Sequence, residues 1–231
     1  MPYFYYYWDP TYLLVVIGAV LSLIASWKVK HTFNKFSRVP SARGLTAERV
    51  AAIILHQAGI TDVRIEHVKG HLSDHYDPKN KVLRLSDSVY GQISVAALGV
   101  AAHECGHAIQ HHTAYAPLKL RSMSVPLANI GSALSWPLLI FGIILEISGL
   151  ALAGVFLFSF VVLFQLITLP VEFNASNRAM AILKDTGTLQ GNELAGARKV
   201  LSAAAMTYVA AVASSILQLI RLLLLSRRSD D

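Results

Sequence analysis

The grouping of apolar residues constrains this 231-residue chain more than any other feature. Residues 124–145 and 147–169 form two nearly adjacent apolar blocks. Each is long enough to cross a bilayer, which takes about 20 residues at a rise of about 1.5 Å each. They meet around Glu146-Ile147-Ser148-Gly149 and read as a transmembrane hairpin, with Pro126 and Pro137 kinking the first arm. Residues 11–27 are a shorter first span. A last block, residues 203–225, is interrupted by Arg221, which leaves a span and an in-plane or buried helix both open. With 54% apolar and 15% charged residues the chain departs from soluble domains, where about a quarter of residues are charged. It is expected to be a mainly α integral membrane protein with three to four transmembrane helices. The single cysteine, Cys105, excludes an internal disulfide framework.

The net charge of +6 is unevenly placed. Eleven of the twenty Lys and Arg residues lie between Lys28 and Arg84, none precedes Lys28, and none lies between Met123 and Arg178. This asymmetry marks the segment after the first span as cytoplasmic. The basic residues form no aromatic-interleaved patch, so nucleic acid is not an expected partner. The N-terminus MPYFYYYWDP lacks a positive n-region and does not read as a cleaved signal peptide. The expected organisation is an anchor at 1–27, a cytoplasmic unit at 28–123, the hairpin at 124–170, and a further helix plus the C-terminal apolar helix at 171–231. The N-terminus and Glu146 then face outward from a multi-pass protein of the plasma membrane.

The cytoplasmic unit reads as a small α+β arrangement. Val50, Ile53 and Ile54 recur at helical spacing after Glu48, and Gly59 stands at a C-cap position. Residues 63–68 and 81–85 alternate apolar and polar, joined through the turn sequence Asp77-Pro78-Lys79-Asn80, so two or three antiparallel strands are expected. A long Ala-rich helix follows, about residues 93–112.

That helix carries His103-Glu104-Cys105-Gly106-His107. Histidines at i and i+4 lie one turn apart on one face, so both imidazoles can reach a single Zn²⁺ while the adjacent Glu104 accepts a proton from water. With the chain's nine histidines, a chance HExxH is about a 1% event. A catalytic zinc needs a third protein ligand. Gln110 and Thr113 rule out the HExxHxxGxxH pattern, and His111 lies about 12 Å along the axis from His103. Among the acidic candidates, Glu146 is at the far end of the hairpin and Asp185 lies in a polar turn. Glu172 fits best, following Pro170 at the cytoplasmic end of a span and opening a helix over 171–183. Cys105, about 200° round the helix from His103, points into packing, and Gly106 permits close helix approach. His75 and Tyr76 are candidate oxyanion donors as well as ordinary edge-strand residues. Arg178, two turns from Glu172, is a candidate partner for a carboxylate or a substrate terminus.

The strings Ser73-Asp74-His75-Tyr76-Asp77-Pro78, Ala101-Ala102-His103-Glu104-Cys105-Gly106-His107-Ala108-Ile109-Gln110 and Leu169-Pro170-Val171-Glu172-Phe173-Asn174-Ala175-Ser176 resemble the bacterial membrane neutral zinc metallopeptidases of the YugP type. More distantly the chain is similar to HtpX and the CAAX prenyl protease, gluzincins in which an Asp follows the third-ligand Glu by four positions. Here that position is Ser176, which leaves open what orients the histidines. The resemblance implies a zincin-like catalytic unit, an HExxH helix with a small antiparallel sheet, and a membrane endopeptidase using Zn²⁺ on polypeptide substrates. A non-catalytic zinc-binding assembly or scaffold protein is the alternative.

Overall fold

A computed structural model describes residues 9–227; the reading of the N-terminus MPYFYYYWDP therefore lies largely outside the described residues. The chain runs α1 (Tyr12–Phe36), α2 (Ala47–Gln57), β1 (Arg64–Val68), β2 (His75–Asp77), β3 (Val82–Ser86), α3 (Val95–His112), α4 (Ala116–Ile144), α5 (Ser148–Asp185) and α6 (Gly191–Arg227). Four of these helices, α1, α4, α5 and α6, are long and apolar enough to cross a membrane. The protein is thus a mainly α membrane chain carrying one small sheet.

Two compact units divide the chain. One comprises the stretches up to Ile24, Met123–Leu166, and Val209 onward. Its core is Leu139, Ala151, Val155, Phe158, Val162 and Leu222. The arms of the hairpin approach so closely that a Cβ at Gly142 would run into the Ala151 backbone, the small-residue packing that helices adopt where lipid is the solvent. Both Pro126 and Pro137 lie inside the continuous α4. Arg221, which interrupts the last apolar block, is 7% exposed, with its guanidinium 4.4 Å from the Tyr12 ring centroid and 4.0 Å from an Asp9 carboxylate oxygen. A buried cation in an apolar unit needs such partners.

The other unit comprises Ala25–Ser122 and Ile167–Tyr208. Its core gathers Val50 and Ile54 from α2, Leu83 and Leu85 from β3, Leu98, Ala101 and Ala102 from α3, and Ala179 and Leu183 from α5. Ser94 caps α3, its hydroxyl accepting from the Ala97 N–H at 3.2 Å. Gly59 takes φ +72° just past α2, as its C-cap reading requires.

The structure corrects two expectations. The sheet has order β1-β3-β2 and is mixed, since β1 and β3 are parallel and only β2 and β3 are antiparallel. The chain reverses before β2 and again at the Asp77 turn, which inserts β3 between the two earlier strands. Asp77 builds that turn by accepting from the Lys79 and Asn80 N–H groups, both at 3.1 Å. Second, no new helix starts after Pro170, because α5 continues through it to Asp185. A proline removes one donor, a loss that neighbouring helices and side chains can offset in a membrane helix. The last apolar block is the continuation of a helix that begins at Gly191.

Candidate metal centre

Helix α3 presents His103 and His107 on one face, with ring centroids 4.8 Å apart. The two helices meet at Gly106. A Cβ there would stand 2.6 Å from the Ala175 carbonyl oxygen of α5, so only glycine allows this approach. That closeness delivers Glu172, three residues before Ala175, to the histidine pair. Glu172 Oε2 lies 3.3 Å from His103 Nε2 and 3.5 Å from His107 Nε2. One ligand atom from each of the three residues falls within 4.8 Å of the others.

The two Glu172–histidine separations fit a shared metal. Four ligands at about 2.1 Å in a tetrahedron stand about 3.4 Å from one another. The carboxylate oxygen is also orphaned: Glu172 Oε2 is fully buried and accepts no hydrogen bond. Such an atom is costly unless a cation completes it. Two imidazoles and a carboxylate are borderline donors suited to zinc.

The outer nitrogens of both rings are held. Ser176 Oγ lies 3.1 Å from His103 Nδ1, and Gln110 Oε1 lies 3.0 Å from His107 Nδ1. A carboxamide oxygen only accepts, so His107 Nδ1 carries a proton and its Nε2 is the ring atom that faces Glu172. Gln110 itself is fully buried. Its Nε2 donates to the Val171 carbonyl at 2.8 Å and to Asn174 Oδ1 at 3.0 Å. Asn174 Oδ1 also accepts from Arg178 Nε at 2.8 Å. Arg178 thus braces the network behind His107. Ser176 answers the question left by the missing aspartate: its hydroxyl meets the His103 ring.

Glu104 is buried and lines a cavity of about 200 Å³ with His103, Glu172, Asp74 and Tyr208. No hydrogen bond ties down its carboxylate among the described residues. Burial opposes the His107 cation, yet the Glu172 and Glu104 carboxylates outweigh it and hold the imidazole pKa above its ordinary value. Asp74 accepts from the Ser86 N–H at 2.7 Å and the Ser86 hydroxyl at 2.9 Å. Burial nonetheless raises its pKa. The Cys105 thiol is pushed up by complete burial, in keeping with a packing role.

Other sequence candidates lie elsewhere. His75 Nδ1 pairs with the Ser73 carbonyl at 2.9 Å and the Tyr76 hydroxyl with His111 Nδ1 at 2.9 Å, and neither residue lines the cavity. Glu146 is exposed in the α4–α5 turn and Asp185 is exposed at the end of α5. Sequence reasoning missed Arg121, whose guanidinium is 3.7 Å from Glu172 Oε1, together with Tyr208, Asn174 and Asp74. Only Gln110 carried a local signal, a polar residue on the histidine face of an apolar helix.

The chain belongs to the family described as "Putative neutral zinc metallopeptidase", whose profile matches residues 11–227. It is 45% identical over 221 residues to the "Putative membrane protease YugP" of Bacillus subtilis (strain 168), a match covering 95% of this chain and 98% of that relative. No solved structure matches the chain.

Proposed function

We propose that the chain is a zinc metalloendopeptidase that hydrolyses peptide bonds at the cytoplasmic face of the plasma membrane. The observation that carries this reading is the buried, unpartnered Glu172 Oε2 facing both imidazole Nε2 atoms across 3.3 and 3.5 Å. His103, His107 and Glu172 would hold the metal. A bound zinc supplies Lewis acidity, lowering the pKa of water and polarising the scissile carbonyl. Glu104 accepts the proton of the attacking water at its carboxylate and passes it to the leaving amine nitrogen. Gln110 accepts from His107 Nδ1 and so leaves that ring's Nε2 for the metal, while Ser176 holds the His103 ring at its Nδ1.

Substrate would enter extended. Strands β1 and β2 form the sheet edges, and backbone pairing along an edge tolerates many sequences. The orientation follows from charge: Lys28, Lys30 and Lys35 close α1, whereas 123–177 holds no Lys or Arg. Because Glu172 follows the apolar block 147–169 directly, the site belongs near the interface rather than about 15 Å deep at mid-bilayer.

The test is cleavage of casein, an unfolded soluble polypeptide, by purified protein in detergent. Cleavage should stop on chelation and return with zinc, and Glu172→Ala should lose most bound zinc. Strict dependence on a membrane-spanning substrate would point to intramembrane chemistry instead.

A further inference from the structure

Beside the candidate metal centre runs a groove of about 1060 Å³, walled by α1, α5 and α6 within the unit formed by Ala25–Ser122 and Ile167–Tyr208. Five of its lining side chains are cationic, Lys28, Lys35, Lys184, Arg198 and Lys199, against one acidic residue, Asp185. All five cations are exposed, and none makes an ion pair among the described residues. Resting on the proteolytic reading, we infer that this groove binds an acidic, extended segment of the polypeptide substrate flanking the bond to be cut.

Three observations favour that occupant. Ser176, Leu201 and Ala205 line both the groove and the cavity holding His103, Glu104 and Glu172, so a chain lying in one leads to the other. The groove is long. Its α5 wall runs from Phe173 to Asp185 and its α6 wall from Leu194 to Met206, each about 18 Å at helical rise, the length of about five extended residues. Its charges also occupy more than one level, since Lys35 is about 10 Å along α1 from Lys28. A lipid headgroup is held at one depth, whereas an acidic chain meets successive cations. Phe173 and Met206, both 43% exposed, add apolar surface to the groove wall.

The test uses two fluorescent peptides identical around the scissile bond, one flanked by glutamates and one by glutamines. Several exposed ion pairs, each worth a fraction of a kcal/mol, should together give the acidic peptide about tenfold tighter binding to full-length Glu104→Gln protein in lipid-free detergent. The preference should fade in 1 M salt, where screening reaches about 3 Å. The triple variant Lys184→Gln/Arg198→Gln/Lys199→Gln should erase the preference and leave cleavage of the glutamine peptide unchanged. Equal binding of both peptides overturns the inference. So does binding of phosphatidylglycerol micelles that depends on the same three cations when the acidic peptide has no advantage. If zinc-loaded wild type cleaves neither peptide, the proteolytic reading fails, and the binding comparison still decides whether the groove selects acidic chains.

Discussion

Two glycines of α3 should respond to alanine in opposite directions. A Cβ at Gly106 would sit 2.6 Å from the Ala175 carbonyl oxygen, where ordinary contact begins at 3.4 Å. To admit Gly106→Ala, α3 and α5 must separate by about 0.8 Å, and the Glu172-to-histidine separations of 3.3 and 3.5 Å widen toward about 4 Å. Overpacking costs about 1–3 kcal/mol, offset by about 1 kcal/mol of helix propensity, so the net loss reaches about 2 kcal/mol. A Cβ at Gly99, by contrast, would meet the Ala197 Cβ at 3.5 Å, an ordinary contact. Gly99→Ala should therefore stabilise by about 0.5–1 kcal/mol and leave zinc binding intact. Thermal unfolding of the chelated proteins in detergent, paired with zinc content by elemental analysis, separates the two effects. A Gly106→Ala protein that unfolds at or above the wild-type temperature and retains full zinc would refute the claim that helix approach builds the site.

Gln110→Ala should weaken zinc binding by about 10- to 100-fold, because His107 loses the acceptor that fixes its ring and the buried Val171 carbonyl and Asn174 Oδ1 lose a donor; competition with a chromogenic chelator measures it. Asp77 is held well below the usual carboxylate range by the Asn80 side chain and backbone and by Arg84. Its contribution is present above the ordinary value of about 3.9 and is lost as pH falls through the depressed folded value, so Asp77→Asn should be less stable at pH 7 and converge with wild type in acid, as read by denaturant unfolding. Asn80→Cys on a Cys105→Ser background should resist an impermeant thiol reagent added to intact cells and react after permeabilisation, the pattern of a cytoplasmic turn.

What could be read from the sequence was whatever local spacing encodes. The apolar blocks, the Gly59 stop after α2 and the i, i+4 histidine pair each depend on residues within a turn or two of one another. Glu172 was reachable because a membrane topology restricts which acidic residues share a side with the histidines. Strand pairing was not reachable in the same way. Alternation in 63–68 and 81–85 identifies strands, but it does not say that β3 will insert between β1 and β2. Nor does a proline in an apolar run say whether the helix ends, since α5 passes through Pro170. The relay from Arg178 through Asn174 and Gln110 to His107 joins two helices far apart in sequence, and no local pattern marks it. Ser176 shows a related limit: no carboxylate stands at that position, yet its hydroxyl reaches His103 Nδ1.

The central claim is that Glu104 moves the proton while His103, His107 and Glu172 hold the metal. Glu104→Gln keeps the side chain's shape and removes its basicity, so zinc content and casein cleavage should be measured on the same purified sample beside wild type. The expected result is about one zinc per chain in both proteins, with cleavage by the variant reduced by at least about a hundredfold, the range of general acid–base catalysis. Cleavage at the wild-type rate by zinc-loaded Glu104→Gln protein would contradict the account.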